Sequence, residues 1–399
     1  MNRLAGIAIA SAIVCSLLIS APGCDVKAAG GPTNNDHEEY RVLAPIESGN
    51  LLLFPVIRAG GKYISGTPFL TLDEGLKNGQ VEVTEAGRVQ GLVRPRGDAR
   101  PARPIRGDQV NTLVLVNNSD KPLLLLAGEI VTGGKQDRVI AKDRIVPAGG
   151  DPIDLSVFCI EPGRWVESAS NFGASNKAAT ESFMVQPSVR SRAMVDKSQQ
   201  EVWNSVGGSI HALAAAPPAP NAGPVASAGP IPLNTTSYAK AMNNSAVNSK
   251  IDEAVAPVMK SRDQVLAKLR QEQAVGVVVA VRGELVWADI FADTDLLSRY
   301  WTKLVRSYAA ESLTEGETRS APTVSDAQRF LDAPPQGTET SEGEVGIYRY
   351  REMKSGRTEL FVLESLLPNA SYDVHESRIK LRGESHLKPV EMWRERPQP

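Results

Sequence analysis

The chain has 399 residues, and its 44 Lys and Arg against 46 Asp and Glu leave a formal net charge of −2. There is no global basic field of the kind that marks nucleic acid as the main partner, so that class is excluded. With 42 % hydrophobic residues, a chain of this length can bury a large core or two domains.

Met1, Asn2 and Arg3 lead into an apolar run from Leu4 to Ile19, followed by Ser20, Ala21, Pro22 and Gly23. That order of charge, apolar run and small residues is the order of a secretory signal, expected over 1–28. The run falls short of the roughly 20 residues needed to span a bilayer, and no later segment approaches that length, so no transmembrane segment is expected. Cleavage after Val26-Lys27-Ala28 gives a periplasmic or secreted chain. Lipid attachment at Cys24 would instead anchor it to a membrane, but Ala21-Pro22-Gly23 lacks the leucine usual three residues before a lipidated cysteine. With Cys15 inside the signal, cleavage would leave Cys159 as the mature cysteine and exclude an internal disulfide.

Residues 29–39 are rich in Gly, Pro and Asn and predict a disordered tail. Leu51 to Arg58 predicts a strand, Thr71 to Asn78 a short helix and Gln80 to Glu85 a second strand. The arginine- and proline-rich stretch Gly91 to Asp108 suits an exposed loop. Two apolar runs, Thr112 to Val116 and Pro122 to Leu126, flank Asn117, Asn118, Ser119 and Asp120, and predict a hairpin. Glu129 to Thr132 continues extended, Gly133-Gly134 turns, Arg138 to Val146 returns as a strand and Ile153 to Ile160 follows, which together predict an antiparallel meander.

Val189 to Leu213 has helical spacing, interrupted by Gly207-Gly208. Residues 214–248 open as an Ala/Pro-rich linker or insertion. Ser249 caps a helix predicted from Lys250 to Gln273, and Val275 to Val281 pairs with Glu284 to Phe291 across Arg282-Gly283. Asp293 caps a further helix through Leu313. Ser325 to Leu331 predicts a short helix, Val345 to Glu352 and Glu359 to Ser365 a hairpin, and Ser371 to Leu381 an edge strand. The expected class is α+β, an antiparallel meander and hairpins packed with several helices, in which a β-rich part (40–213) and a C-terminal α/β part (249–399) pack as one domain.

The stretch "LLLLAGEIVTGGKQDRVIAKDRIV", Leu123 to Val146, carries the chemistry. A nucleotide loop needs G-x-x-x-x-G-K-[ST] after a strand and before a helix. Gly128 and Gly133 have the spacing, but Gly134 takes the lysine's place, Gln136 replaces the hydroxyl, and a strand follows, so that reading fails. The Gly133 and Gly134 amides beside Lys135 and Arg138 still suit an anion, with Gln136 as donor and acceptor and Glu129 or Asp137 to orient a ribose or water. Against this stands a plain hairpin turn with a solvated charged face. A second cluster holds Cys159, Glu161 and Arg164. Cys159 and Glu161 share one face of a strand, yet cysteine in an apolar strand is usually a small core residue, and Glu161 with Arg164 suits an ion pair pinning the strand's exit. No Cys or His cluster suggests a metal, and no cofactor motif is present.

"LLLLAGEIVTGGKQDR", "VFCIEPGRW", "QQEVW" and "ELVWADIF...LLSRYWTKLVRSYA" together resemble the ADP-ribosylglycohydrolase and rhodanese-phosphatase associated domain family, from about Tyr40 to Leu313. The resemblance implies a shared domain with Glu129, Gly133, Gly134, Lys135, Gln136, Asp137, Arg138, Cys159, Glu161, Arg164 and Trp165 as its motif residues. It defines no catalytic mechanism. Two readings follow. One is a noncatalytic exported module presenting the bend to an anionic or sugar-like ligand or to a protein partner. The other is a hydrolase or transferase on an ADP-ribosyl or phosphorylated substrate, with Glu129, Asp137 or Glu161 as acid or base and Lys135, Arg138 or Arg164 neutralising charge.

Overall fold

The structure, a computed structural model, describes residues 40–60, 64, 66–85, 112–163, 171–174, 183–216, 231–259, 262–314 and 319–381, all within the unit His37–Pro399. The signal with Cys24, the tail 29–39, the arginine-rich loop and the segment holding Arg164 and Trp165 lie outside the described residues.

Strands β1 (Tyr40–Val42), β2 (Ile46–Ser48), β3 (Leu51–Arg58) and β4 (Leu70–Thr71) precede α1 (Leu72–Lys77) and β5 (Val81–Glu85). There follow β6 (Thr112–Asn117), β7 (Leu123–Leu125), β8 (Ile130–Thr132), β9 (Arg138–Ile140), β10 (Arg144–Val146), β11 (Ile153–Cys159) and β12 (Asn171–Ala174). The middle is helical. α2 (Pro187–Ser191) runs into a π-helical turn at Arg192–Asp196, then come α3 (Gln199–Ala215), α4 (Tyr238–Met242), α5 (Ser245–Ala254), α6 (Ala256–Met259) and α7 (Arg262–Gln271). The last part comprises β13 (Ala274–Val281), β14 (Glu284–Phe291), α8 (Thr294–Ser312), α9 (Val324–Asp332), β15 (Glu339–Glu344), β16 (Tyr348–Ser355), β17 (Thr358–Leu367) and β18 (Ala370–Lys380).

The class is α+β, as the pattern predicts, and among the described strands only β4 and β7 pair in parallel. A nine-stranded sheet runs β1-β3-β13-β14-β18-β17-β16-β15, with β2 also on β3. β11-β6-β5-β12-β8-β9 close into a small barrel, and β10-β7-β4 form a three-stranded sheet. The continuous apolar runs of β3 and β13 follow from burial on both faces. Leu51, Leu53, Val277 and Val279 face the main core with α8, while Leu52, Phe54, Val278 and Ala280 face the cluster that α9 covers with Ala327 and Leu331. The barrel is filled by Val83, Leu115, Val131, Ile140, Val157 and Phe172, among others.

Several expectations change, and the strand expected over Arg138 to Val146 is two, β9 and β10, in different sheets. β6 and β7 do not pair: β6 lies between β5 and β11, and β7 between β10 and β4. The Asn117 amide donates to the carbonyls of Lys121 (2.8 Å) and Pro147 (3.0 Å), so the turn sends the chain from the barrel into the next sheet. α3 runs through Gly207-Gly208, and the break lies at Lys197, in left-handed backbone. The helix expected from Lys250 to Gln273 is three segments, because α5 closes at Val255 and Pro257 lacks the amide needed to continue it. Finally, β18 is interior, paired on both sides, and the sheet edge is β15, whose small and acidic residues give no strand signal. Within the segment expected as a linker, Tyr238, Ala239, Ala241 and Met242 are buried.

Candidate functional site

The Gly133–Asp137 bend joins β8 to β9 at one mouth of the barrel, with β9 next to β11 so that Arg138 lies opposite Cys159. Gly134 has φ +50, and a Cβ there would lie 2.3 Å from the Phe172 ring, so both conformation and space require glycine. The charges fold inward. Gln136, Asp137 and Glu161 are buried and Arg138 is 0 % exposed.

Asp137 closes the bend by accepting from the Gly133 amide at 3.3 Å and from the Ser237 hydroxyl at 2.7 Å, which ties the barrel to α4, since Ser237 is that helix's N-cap. Glu161 accepts from the Asp137 amide at 3.3 Å and pairs with Lys240 at 3.2 Å. Its carbonyl takes the Gln136 side-chain amide at 3.0 Å. Arg138 donates through Nη1 to the Gln136 carbonyl at 2.7 Å and stands 3.8 Å from Glu85, at the end of β5. Glu85 in turn accepts from the Lys135 amide at 3.0 Å. Lys240, whose side chain is 63 % exposed, and the half-buried Lys135 form the solvent side. Around this core Glu85 Oε2, Gln136 Oε1 and Arg138 Nε and Nη2 are buried without hydrogen bonds. Such groups clustered in one place call for a partner.

Cys159 sits behind Arg138. Its backbone is gripped at both N–H and C=O by the Gln199 amide, at 2.9 and 2.8 Å, and burial pushes the thiol up to about 11, although Arg138 pulls it down. In a chain whose Cys15 and Cys24 are changed to Ser, native Cys159 is expected to react with a disulfide reagent at pH 8 about 100-fold more slowly than after denaturation, as its low thiolate fraction requires. Equal rates would contradict this.

Glu129 belongs to a different cluster. Its Oε1 meets Lys303 of α8 at 2.7 Å and its Oε2 accepts from the Leu126 amide at 2.8 Å. Lys303 also pairs with Asp73 in the first turn of α1. Burial raises the Glu129 carboxyl above its usual range against the pull of Lys303. Burial alone would lower the Lys303 ammonium, but Asp73 and Glu129 reverse that and hold it raised.

Sequence reasoning missed a third cluster. His375 of β18 lies 2.7 Å from Asp143 through Nδ1 and 3.2 Å from Asp289 through Nε2. Asp289 also takes Arg190 at 2.9 Å, the Ser377 hydroxyl at 2.9 Å and the Tyr308 hydroxyl. Arg190 stacks over Trp287, 4.6 Å from the ring centroid, and passes so close to Gly128 (φ +94) that a Cβ there would meet it at 2.9 Å. All six polar groups are buried. The signal was present in "LVWADIF": a lone carboxylate in an otherwise apolar strand needs a buried partner. His211, by contrast, is exposed on α3.

A family model described as the ARG and Rhodanese-Phosphatase-superfamily-associated Protein domain matches residues 39–377, a span that contains all three clusters. Comparison with curated proteins and with solved structures gives no match.

Proposed function

The chain belongs to the ARG and Rhodanese-Phosphatase-superfamily-associated Protein domain family, and on that premise we propose that it is a noncatalytic recognition module that takes an anionic, sugar-like ligand at the Gly133–Arg138 bend. One observation carries the reading: the buried cluster keeps two spare donor atoms on Arg138 beside two spare acceptors, Glu85 Oε2 and Gln136 Oε1. An anionic oxygen matches the guanidinium, and ligand hydroxyls match the carboxylate and amide. Lys135 and Lys240 place two further cations on the side from which such a ligand arrives.

Binding is favoured over acid–base or nucleophilic chemistry because the candidate groups are engaged elsewhere. Asp137 and Glu161 accept from backbone amides, the Cys159 thiol is held protonated, and Glu129 lies in the Lys303 cluster. General acid–base catalysis needs a group free to exchange its proton with a reacting atom. The N-terminal signal pattern supports an exported module, periplasmic or secreted.

Calorimetry and thermal unfolding with glucuronate, glucose 6-phosphate, glucose and inorganic phosphate test the reading. The anionic sugars are expected to stabilise the fold by about 2.7 kcal/mol at 100 times Kd, and glucose or phosphate alone to do so only at much higher concentration. Lys135→Ala and Lys240→Ala should each weaken binding by more than they lower ligand-free stability, Lys240→Ala costing some stability because it removes the cation that pairs with Glu161. Absence of a shift with every compound, or loss of stability in the variants without loss of binding, would leave the bend a structural fastening.

A further inference from the structure

On the opposite face of the large sheet from the α8 core, a cavity of about 230 Å³ lies between the segment following α9 and the β16–β17 hairpin. Pro334, Pro335, Met353 and Leu360 give it apolar surface, Gln336, Ser355 and Thr358 give polar groups, and Arg378 lines it. Arg378 comes from β18, where it pairs opposite Leu360, and it is 2 % exposed. Its Nη1 clamps the end of α9 by donating to the carbonyls of Phe330 (3.4 Å) and Ala333, and its Nη2 stands 3.4 Å from Glu376. The third position, Nε, is buried without a hydrogen bond.

We propose that this cavity is a second binding site, separate from the bend, for a small carboxylate with an apolar body, held by the Arg378 guanidinium beside the apolar surface of Pro334, Pro335, Met353 and Leu360. The chemistry follows from the lining. A guanidinium stays charged at any working pH and is built to meet a planar carboxylate. Its Nε carries an N–H that no described residue takes up, and a carboxylate that reaches it gains a charge-assisted hydrogen bond. Among the described residues Arg378 is the one charged group in the lining and sets the anion's position, with Gln336, Ser355 and Thr358 as accessory polar groups. Size sets the class: an apolar cavity of about 150 Å³ holds benzene, so a space of about 230 Å³ has room for a ring or short chain plus one carboxylate, not for a nucleotide. Glu376 offsets part of the charge, which favours a monoanion over a phosphate.

Titration calorimetry and ligand-observed NMR on the purified full chain test this with benzoate as the probe, against benzyl alcohol and benzylamine. A ligand this small reaches a Kd of about 1 mM. Benzoate is expected to bind there, and the alcohol and amine at least about tenfold more weakly, as loss of one charge-assisted hydrogen bond requires. Arg378→Gln should bring benzoate down to the level of the alcohol. Because that variant also loosens α9, Met353→Trp serves as the second: it fills the cavity, leaves the clamp in place and should abolish benzoate binding. Failure to saturate by about 20 mM, twentyfold above that Kd, would overturn the assignment, as would equal binding of alcohol and benzoate or undiminished binding to Met353→Trp. None of these outcomes touches the bend, so the two sites stand or fall separately.

Discussion

Lys303→Met is expected to lower the unfolding free energy by about 3–5 kcal/mol, read from urea denaturation at neutral pH, because it strands two carboxylates that the ammonium now neutralises. Glu129 is the more costly of the two. It is fully buried, whereas the Asp73 side chain keeps 10 % of its surface and can recruit water. The cluster joins α8, the first turn of α1 and the approach to β8, so its loss loosens the helix layer and the barrel together. Adding Glu129→Gln to Lys303→Met should recover part of the loss, since an amide at that position still accepts from the Leu126 amide without carrying charge. A cost below about 1 kcal/mol, the range of an exposed ion pair, would mean that the pair is hydrated and not a fastening of the fold.

The second large effect is a pH dependence centred on His375. Burial alone would lower its pKa, but Asp143 and Asp289 on either side raise it from an ordinary 6.5 to about 9. Between those two values the folded chain binds a proton that the unfolded chain does not. The contribution is therefore fully present below pH 6.5 and is lost as the pH rises through 9. Its size, from the shift, is about 3 kcal/mol. The groups facing the ring, Asp143, Asp289 and the Arg190, Tyr308 and Ser377 side chains behind Asp289, make a closed set without access to solvent. Unfolding free energies measured from pH 6 to 9.5 should fall across this window in the wild type, while His375→Gln, less stable at pH 6, should give a nearly flat profile. A wild-type profile without that decline would show that the imidazole is buried neutral.

How far the sequence was legible depends on how local each cause is. The β13–β14 and β16–β17 hairpins, the β8–β9 bend and the capped helix α8 were readable because turn residues, caps and alternation act within a few positions. Barrel closure was not, because β11 meets β6 and β9, and β12 meets β5 and β8, through pairings set by three-dimensional fit. The Asn117 turn shows the difference well: its residues do reverse the chain, but hydrogen bonds to Pro147, 30 positions away, decide what the reversal leads to. At the bend, the sequence leaves open an anion site and a solvated charged face, and the inward direction of its side chains depends on Ser237, 100 positions from Asp137. The His375 cluster was hidden by distance too, with Asp143 lying 232 positions from its imidazole.

The placement of β18 sets an order of events in biosynthesis. Because it is inserted between β14 and β17 and brings His375, Ser377 and Arg378 with it, a chain in which β18 has not yet docked holds an open sheet, an Asp143 without its imidazole, and an unclamped α9. The sheet is therefore completed only when β18 arrives, and until then the exposed sides of β14 and β17 need a chaperone or rapid completion to keep them from pairing elsewhere.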